Sequence, residues 1–387
     1  MSVPEQLTIA MVAGEPSGDT LGAHLVEALR ADRPGAKFIG IGGPKMEAAG
    51  FETIFPMEKL SVLGLVEVVK HFPELYRIRR QLGALLLRNP PDVFIGVDSP
   101  DFNLDLEGRL KSAGIPTVHY VGPTIWAWRR GRVKKIRRSV SKVLVLFPFE
   151  VPLYEEAGIP VAFVGHPLAE PLATFPNVAA VRDQLRLPAA APIVTLLPGS
   201  RIGELKRMAD LYVEAAHRIS ENVPGVLFLA PFVSRETREL FERALYRDDT
   251  RTLNIQMLFG HAHEAMAAAD VVLAASGTAT LEAALLRRPL VITYKVAPLS
   301  AFIAHYQTYL PYVGMPNILA GEFVAPEFLQ DEATPDNLAQ AVTNLLFDPT
   351  VRQRVEARFG ELAAQLREDT AGKAAREILA LTAKAMV

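Results

Sequence analysis

Met11-Val-Ala-Gly-Glu-Pro-Ser-Gly-Asp-Thr-Leu-Gly22 is the segment whose reading decides the fold. A short apolar run, Leu7 to Val12, leads into it, and Leu21, Leu25 and Leu29 recur beyond it at helical spacing. Strand, glycine turn and amphipathic helix, in that order, begin a parallel α/β unit. Such turns often cradle phosphates, because free helix amides and the helix dipole favour an anion. Here Gly14, Gly18 and Gly22 depart from the G-x-G-x-x-G spacing and no Lys-Ser/Thr pair follows, so neither a dinucleotide site nor a P-loop is supported. Two readings stay open: Ser17 or Asp19 caps the helix, or the turn binds a ligand.

The alternation continues outward from this unit. Strand candidates follow at Lys37 to Ile41, Val93 to Val97, Thr117 to Val121, Lys142 to Leu146 and Val161 to Val164. A proline-rich passage between Val164 and Ile193 then reads as an interdomain connection. Strands resume at Ile193 to Leu197, Val226 to Leu229, Asn254 to Leu258, Val271 to Ala274 and Leu290 to Thr293, and from about Pro335 the pattern is helical alone. The expectation is two doubly wound, Rossmann-like α/β domains, residues 1–166 and 167–335, facing an interdomain cleft, with a C-terminal helical tail over 336–387.

Composition narrows the function. Across 387 residues, 41 basic and 43 acidic side chains give a net charge of -2, so nothing global argues for nucleic acid. The absence of cysteine excludes disulfides, thiolate metal sites and a cysteine nucleophile, and a cytoplasmic location is the default. The N-terminus lacks the basic start and apolar run of a secretory signal. The charge-free window Val296 to Gly321 contains three prolines and reads as helix plus loop rather than a membrane span. His261 and His263 have no further ligand at metal spacing, no Asp-x-Asp is present, and His166 in the hinge reads as structural; no metal is expected.

Two turns in the second half suit a nucleotide. In Val194-Thr-Leu-Leu-Pro-Gly-Ser-Arg201, Gly199 permits close backbone approach, Ser200 can cap the next helix, and Arg201 offers a fork of donors to a diphosphate. In Val271-Val-Leu-Ala-Ala-Ser-Gly-Thr-Ala-Thr-Leu-Glu282, Ser276, Gly277 and Thr278 start a helix whose amides face an anion, and Glu282 can accept from ribose hydroxyls. The plainer reading of both is a capped helix. Together, in one half of a two-domain chain, they point to a nucleotide-sugar site.

In the first half, Asp98 and Asp101 stand just past the strand Val93 to Val97, and Glu15 stands at the mouth of the first strand. Asp98 is the better fixed and so the better candidate base for a hydroxyl; Asp101 alternatively caps the following helix. Two features suggest lipid. The segment Ser61 to Phe72 is apolar nearly all round, and Trp126 to Arg138 joins both tryptophans to seven basic residues with no acid. The latter suits an anionic membrane surface or a phosphorylated substrate. A buried core helix and a solvated basic helix are the plainer alternatives.

In order along residues 11 to 320, six motifs carry a resemblance: Ala13-Gly-Glu-Pro-Ser-Gly-Asp19, Gly96-Val-Asp-Ser-Pro-Asp-Phe-Asn103, His119-Tyr-Val-Gly-Pro-Thr-Ile-Trp-Ala-Trp-Arg129, Leu197-Pro-Gly-Ser-Arg201, Ala275-Ser-Gly-Thr-Ala-Thr-Leu-Glu282 and Pro316-Asn-Ile-Leu-Ala320. They resemble the lipid-A-disaccharide synthase family, inverting bacterial glycosyltransferases of the two-Rossmann-domain (GT-B) type. The resemblance implies transfer of 2,3-diacylglucosamine from its UDP ester to the 6-hydroxyl of 2,3-diacylglucosamine 1-phosphate. The products are the β-1,6-linked lipid A disaccharide 1-phosphate and UDP, and no cofactor is implied. It further implies Asp98 as base, Gly199, Ser200, Arg201, Ser276, Gly277, Thr278 and Glu282 around the nucleotide, and Glu15, Ser17, Asp19, Asp101 and Asn317 around the sugars.

The same resemblance implies peripheral association with the cytoplasmic face of the inner membrane. It also implies C-terminal helices that pack back on the first domain and can be exchanged within a homodimer. Pro16 replaces the more usual alanine, and Ser300 to Gly314 lacks the basic residues associated with related enzymes, which bears on the phosphate contacts there. The rivals are a UDP-N-acetylglucosamine 2-epimerase-like isomerase on the same architecture and a non-catalytic nucleotide or lipid binder.

Overall fold

The computed structural model describes residues 7–60, 65–125, 130–247, 252–295 and 311–385. The chain forms two compact units, one running to Pro167 and resuming at Leu366, the other Leu168–Gln365. In the first, β1 (Thr8–Ala13), β2 (Lys37–Ile41), β3 (Glu52–Thr53), β4 (Val93–Val97), β5 (Thr117–Tyr120), β6 (Lys142–Val145) and β7 (Val161–Phe163) form one sheet, ordered β3-β2-β1-β4-β5-β6-β7. In the second, β8 (Ile193–Leu197), β9 (Leu227–Phe232), β10 (Ile255–Phe259), β11 (Val271–Ala275), β12 (Leu290–Tyr294) and β13 (Glu327–Leu329) are ordered β10-β9-β8-β11-β12-β13. Every pairing in both sheets is parallel.

Helices cover both faces, so the central strands are buried and mostly apolar; all five residues of β4 and of β8 are buried, Thr195 among them. Strand order reverses between β1 and β4 in one unit and between β8 and β11 in the other. Ligands in such sheets bind beyond the carboxyl ends of the strands at that switch point. Each strand read from the alternation is present, with ends shifted by a few residues at most. The edge strands β3 and β13 escape that reading, because two or three residues carry too little pattern.

The tail divides. The helix Pro335–Phe347 buries Leu338, Ala339, Val342 and Leu345 and packs on the helix Ile202–Asn222, so it stays with the second unit. The chain returns to the first unit at Leu366. There the helix Thr370–Ala385 inserts Ala374, Ala375 and Ile378 into the core formed by Leu25, Val26, Leu29 and Ile95. Glu377 pairs with Lys142, and the Leu366 carbonyl accepts from the amide of His166, whose ring stacks on Phe147. His166 thus has the structural role expected of it.

The proline-rich passage after Pro167 belongs to the second unit and contains the helices Ala169–Ala173 and Val178–Gln184. Arg182, nearly buried, ties it down by donating to the carbonyls of Ala268 and Ala189 and pairing with Asp270.

Gly40 faces Met11 in the β1–β2 pairing at φ 141, where a Cβ would run into the Met11 carbonyl oxygen. Gly40→Ala is therefore expected to cost about 1–3 kcal/mol of stability, read from urea denaturation. An unchanged midpoint would show that the two strands have room to give.

Candidate functional site

In the first unit the turns after β1 and β4 meet. A Cβ on Gly14 would lie 2.8 Å from the Ser99 hydroxyl, so the glycine is what lets the turns approach. Glu15 is the extended N-cap residue of the helix Pro16–Asp32, Pro16 opens that helix, and the side chains of Glu15 and Ser17 are exposed. Neither Ser17 nor Asp19 caps it.

Asp19 is buried, and its carboxylate accepts from the backbone amides of Gly43 (2.9 Å), Lys45 (3.1 Å) and Met46 (3.0 Å). It therefore caps the neighbouring helix Pro44–Ala48 in place of a local residue. Three amides thus occupy the carboxylate inside the protein.

Asp98 and Ser99 are both left-handed, with φ of 52° and 45°. The Asp98 amide donates to the Tyr120 carbonyl at 2.8 Å, and the Asp98 carbonyl accepts from the buried Asn103 Nδ2, also at 2.8 Å. The half-buried Asp98 side chain lines a cavity of about 360 Å³ with Glu15, Ser99 and Asp101. Leu60, Leu75, Tyr76, Arg79, Pro100 and Phe102 complete its wall, which is apolar with charged groups at intervals.

Behind this turn Glu107 and His119, both fully buried, pair at 2.7 Å. Burial pushes the Glu107 carboxyl upward, and His119 partly offsets it. A Cβ at Gly96 would strike Glu107 and Asn103, so the strand carries glycine there. Asn103 Oδ1, Glu107 Oε2 and His119 Nε2 have no partner among the described residues. The sequence reading singles out none of these three side chains individually.

In the second unit, Gly199 has φ 118°, and Arg201, not Ser200, is the N-cap residue of the helix Ile202–Asn222, without a side-chain cap bond. Arg201 is 78% exposed and 3.5 Å from Glu204, a weak, screened pairing. After β11, Gly277 precedes the helix Thr278–Leu285, and both Gly277 and Thr278 are exposed. β8 and β11 are neighbours, so the two turns flank the same switch point.

Glu282 and His263, 3.1 Å apart, join this helix to the helix Ala262–Ala268. The bond to Glu282 holds the His263 pKa above its ordinary value. The sequence pattern alone marks His263 only as part of a loop entering a helix.

Asn317 is fully buried. Its Oδ1 accepts from Val324 and Ala325, and its Nδ2 donates to the Ala325 carbonyl and to Glu327. Glu327 also accepts from the amides of Val313 and Gly314, and Ser276 Oγ reaches the Val313 carbonyl. Asn317 therefore shapes the loop beside the Ser276 turn, its amide being occupied internally.

Other expectations lie partly outside the described residues: 61–64 of the apolar segment, 126–129 of the tryptophan segment including both tryptophans, and 296–310 of the charge-free stretch. The basic helix Val133–Ser139 is described, with Lys134, Lys135, Arg137 and Arg138 exposed. Among the described residues no cluster of three or more His, Asp or Glu could hold a metal ion.

A model of the family described as lipid-A-disaccharide synthetase matches residues 9–379. A lipid-A-disaccharide synthase of Dechloromonas aromatica is 55% identical over 372 residues, 96% of this chain and 97% of the relative. One from Methylobacillus flagellatus is 52% identical over 372 residues, covering 96% and 98%. Among solved structures, Anabaena HepE in complex with UDP-glucose aligns with a TM-score of 0.57 at 16% identity over 97% of this chain and 100% of that one. A Neisseria meningitidis UDP-GlcNAc 2-epimerase bound to UDP-GlcNAc gives 0.62 at 10% identity, covering 98% and 100%. At such identities these two likenesses carry the GT-B fold and nothing of activity.

Removing the Asn317 amide strands several buried groups at once. Asn317→Ala is expected to destabilise by about 2–3 kcal/mol in thermal or urea unfolding. A variant of unchanged stability would mean that Glu327 holds the loop unaided.

Because the folded pKa of His263 is raised, its pairing stabilises fully below the unfolded value of about 6.5 and the contribution fades as pH rises through the folded value. The Tm deficit of His263→Gln should accordingly be larger at mildly acid than at alkaline pH; an equal deficit at both would refute the pairing.

Proposed function

The chain belongs to the lipid-A-disaccharide synthetase family, and from that premise we propose how its residues divide the work. The enzyme is a glycosyltransferase of lipid A biosynthesis. It joins UDP-2,3-diacylglucosamine to 2,3-diacylglucosamine 1-phosphate, forming the β-1,6-linked disaccharide 1-phosphate and releasing UDP. The epimerase alternative is not favoured, since membership extends across nearly the whole chain while the epimerase likeness is one of fold.

Inversion at the anomeric carbon needs a base on the acceptor hydroxyl and stabilisation of the departing diphosphate. Asp98 is the base. The observation that carries this assignment is its place beyond the central strand β4, held by Asn103 and the Tyr120 carbonyl at the edge of a cavity part apolar and part acidic. That lining suits an acylated sugar. Exposed Glu15, Ser17 and Asp101 orient the sugar hydroxyls, while Asp19 acts indirectly by fixing the turn at Gly43.

On the nucleotide side, Arg201 and the leading amides of the helix Thr278–Leu285 take the diphosphate, with Gly199, Ser200, Ser276 and Gly277 allowing close approach. Glu282 accepts from the ribose, its other partner being His263. Asn317 supports the adjoining loop.

Among the described residues no helix is long and apolar enough to cross a membrane. The exposed basic side chains of Val133–Ser139 support peripheral attachment to an anionic surface, which we assign to the cytoplasmic face of the inner membrane. A homodimer is part of the same reading.

The test is to incubate the protein with both diacylated substrates, without added metal, and to detect the disaccharide 1-phosphate by mass spectrometry; no such product would sink the reading. Asp98→Asn is expected to lower kcat by at least about 100-fold while leaving UDP binding nearly intact. Wild-type turnover in that variant would transfer the role of base to Glu15 or Asp101.

A further inference from the structure

Beside the cavity at Asp98 lies a group of cations that proton removal does not use. Arg79 lines the cavity and lies over the rings of Tyr76 and Phe102, at 5.9 and 6.0 Å. Its Nη1 donates to Asp105 at 2.7 Å and to the Asp101 carbonyl at 3.3 Å, so both bonds engage one nitrogen of a five-donor guanidinium. Lys135 pairs with the same Asp105, and Arg132 pairs with Asp101, which also lines the cavity. Among the described residues, three cations thus gather around the two carboxylates of Asp101 and Asp105. The cations come from two separate stretches: the helix Leu65–Arg88, and the continuous segment made by the turn Arg130–Arg132 and the helix Val133–Ser139.

A phosphorylated acceptor faces opposite demands in this cavity. Its hydroxyl must reach the carboxylate of Asp98, yet Asp98 and Glu15 repel a dianion. The neighbouring cations resolve that conflict. Asp101 is 81% exposed, so its hold on Arg132 is weak and screened. A dianionic phosphate monoester offers three acceptor oxygens where Asp101 offers one singly charged carboxylate. The ring contacts of Arg79 fix its plane, so its remaining donors need little reordering to meet a tetrahedral anion.

We propose that Arg79, Arg132 and Lys135 form the subsite for the phosphate monoester of the acceptor, with Asp101 as the anion displaced on binding. The inference rests on the acceptor assigned above and adds how the site tells a phosphorylated amino sugar from an unphosphorylated one. Asp105 is a positioning residue, holding Arg79 and Lys135 together.

The test is one of binding, so it does not depend on turnover. Diacylglucosamine 1-phosphate and unphosphorylated diacylglucosamine, in neutral detergent micelles, are titrated calorimetrically into the full-length protein, and the ratio of their Kd values is read. Wild type should favour the phosphorylated ligand by at least about 10-fold, as expected for charge-assisted contacts. Arg79→Gln and Arg132→Gln should each shrink the ratio several-fold by weakening the phosphorylated ligand alone. Asp101→Asn should widen it, an effect in the opposite sense that general damage to the fold would not give. Arg77→Gln, an exposed arginine outside the cluster, should leave it unchanged.

A wild-type ratio near one, equal loss on both ligands in the arginine variants, or an Arg77→Gln effect as large as that of Arg79→Gln would overturn the proposal. A discriminating ratio in a protein that makes no disaccharide would uphold this subsite while sinking the transferase reading. Transfer without discrimination would do the reverse.

Discussion

The close approach of the turns after β1 and β4 is the constraint on which the first unit depends. Gly14 lets Ser99 come against it, and Asp98 and Ser99 pay for the sharp exit from β4 with two consecutive left-handed residues, at about 1–3 kcal/mol each. The bonds from the Asp98 amide to Tyr120 and from Asn103 to the Asp98 carbonyl offset part of that cost. The result is a carboxylate that the backbone itself aims, rather than one swinging on a flexible loop. Gly96 extends the same logic inward, since its missing side chain is what admits Asn103 and Glu107 beneath the turn.

Buried polar groups divide between this site and its supports. Asp19 accepts from three backbone amides and Asn317 from two, so each fixes a loop. Glu107 and His119 hydrogen-bond to one another inside the first unit, and burial favours the uncharged carboxyl of Glu107. Glu15, Asp98, Asp101 and Arg79 remain accessible around one cavity, and Arg201 in the other unit.

The two units repeat one design with different turns. Each places a glycine-containing turn at the reversal of strand order, but the first surrounds it with carboxylates and the second with an arginine and helix amides. A hydroxyl to be deprotonated and a diphosphate to be released call for those opposite environments. The last helix belongs with the first unit because Ala374, Ala375 and Ile378 complete a core that the N-terminal helix leaves open.

Periodicity and turn chemistry are local properties, so the sequence by itself determined the two parallel sheets, most of their strands, and the turns carrying Asp98, Arg201 and Glu282. Every one of these is written within a dozen neighbouring residues. Asp19 capping a helix 24 to 27 residues away, Arg79 meeting Asp105 across 26 residues and Glu377 reaching Lys142 across 235 are pairings of distant segments. Only the tertiary structure decided them. A carboxylate looks the same in sequence whether three amides will saturate it or a substrate will meet it, because burial and partner are set by packing between elements that the chain brings together late.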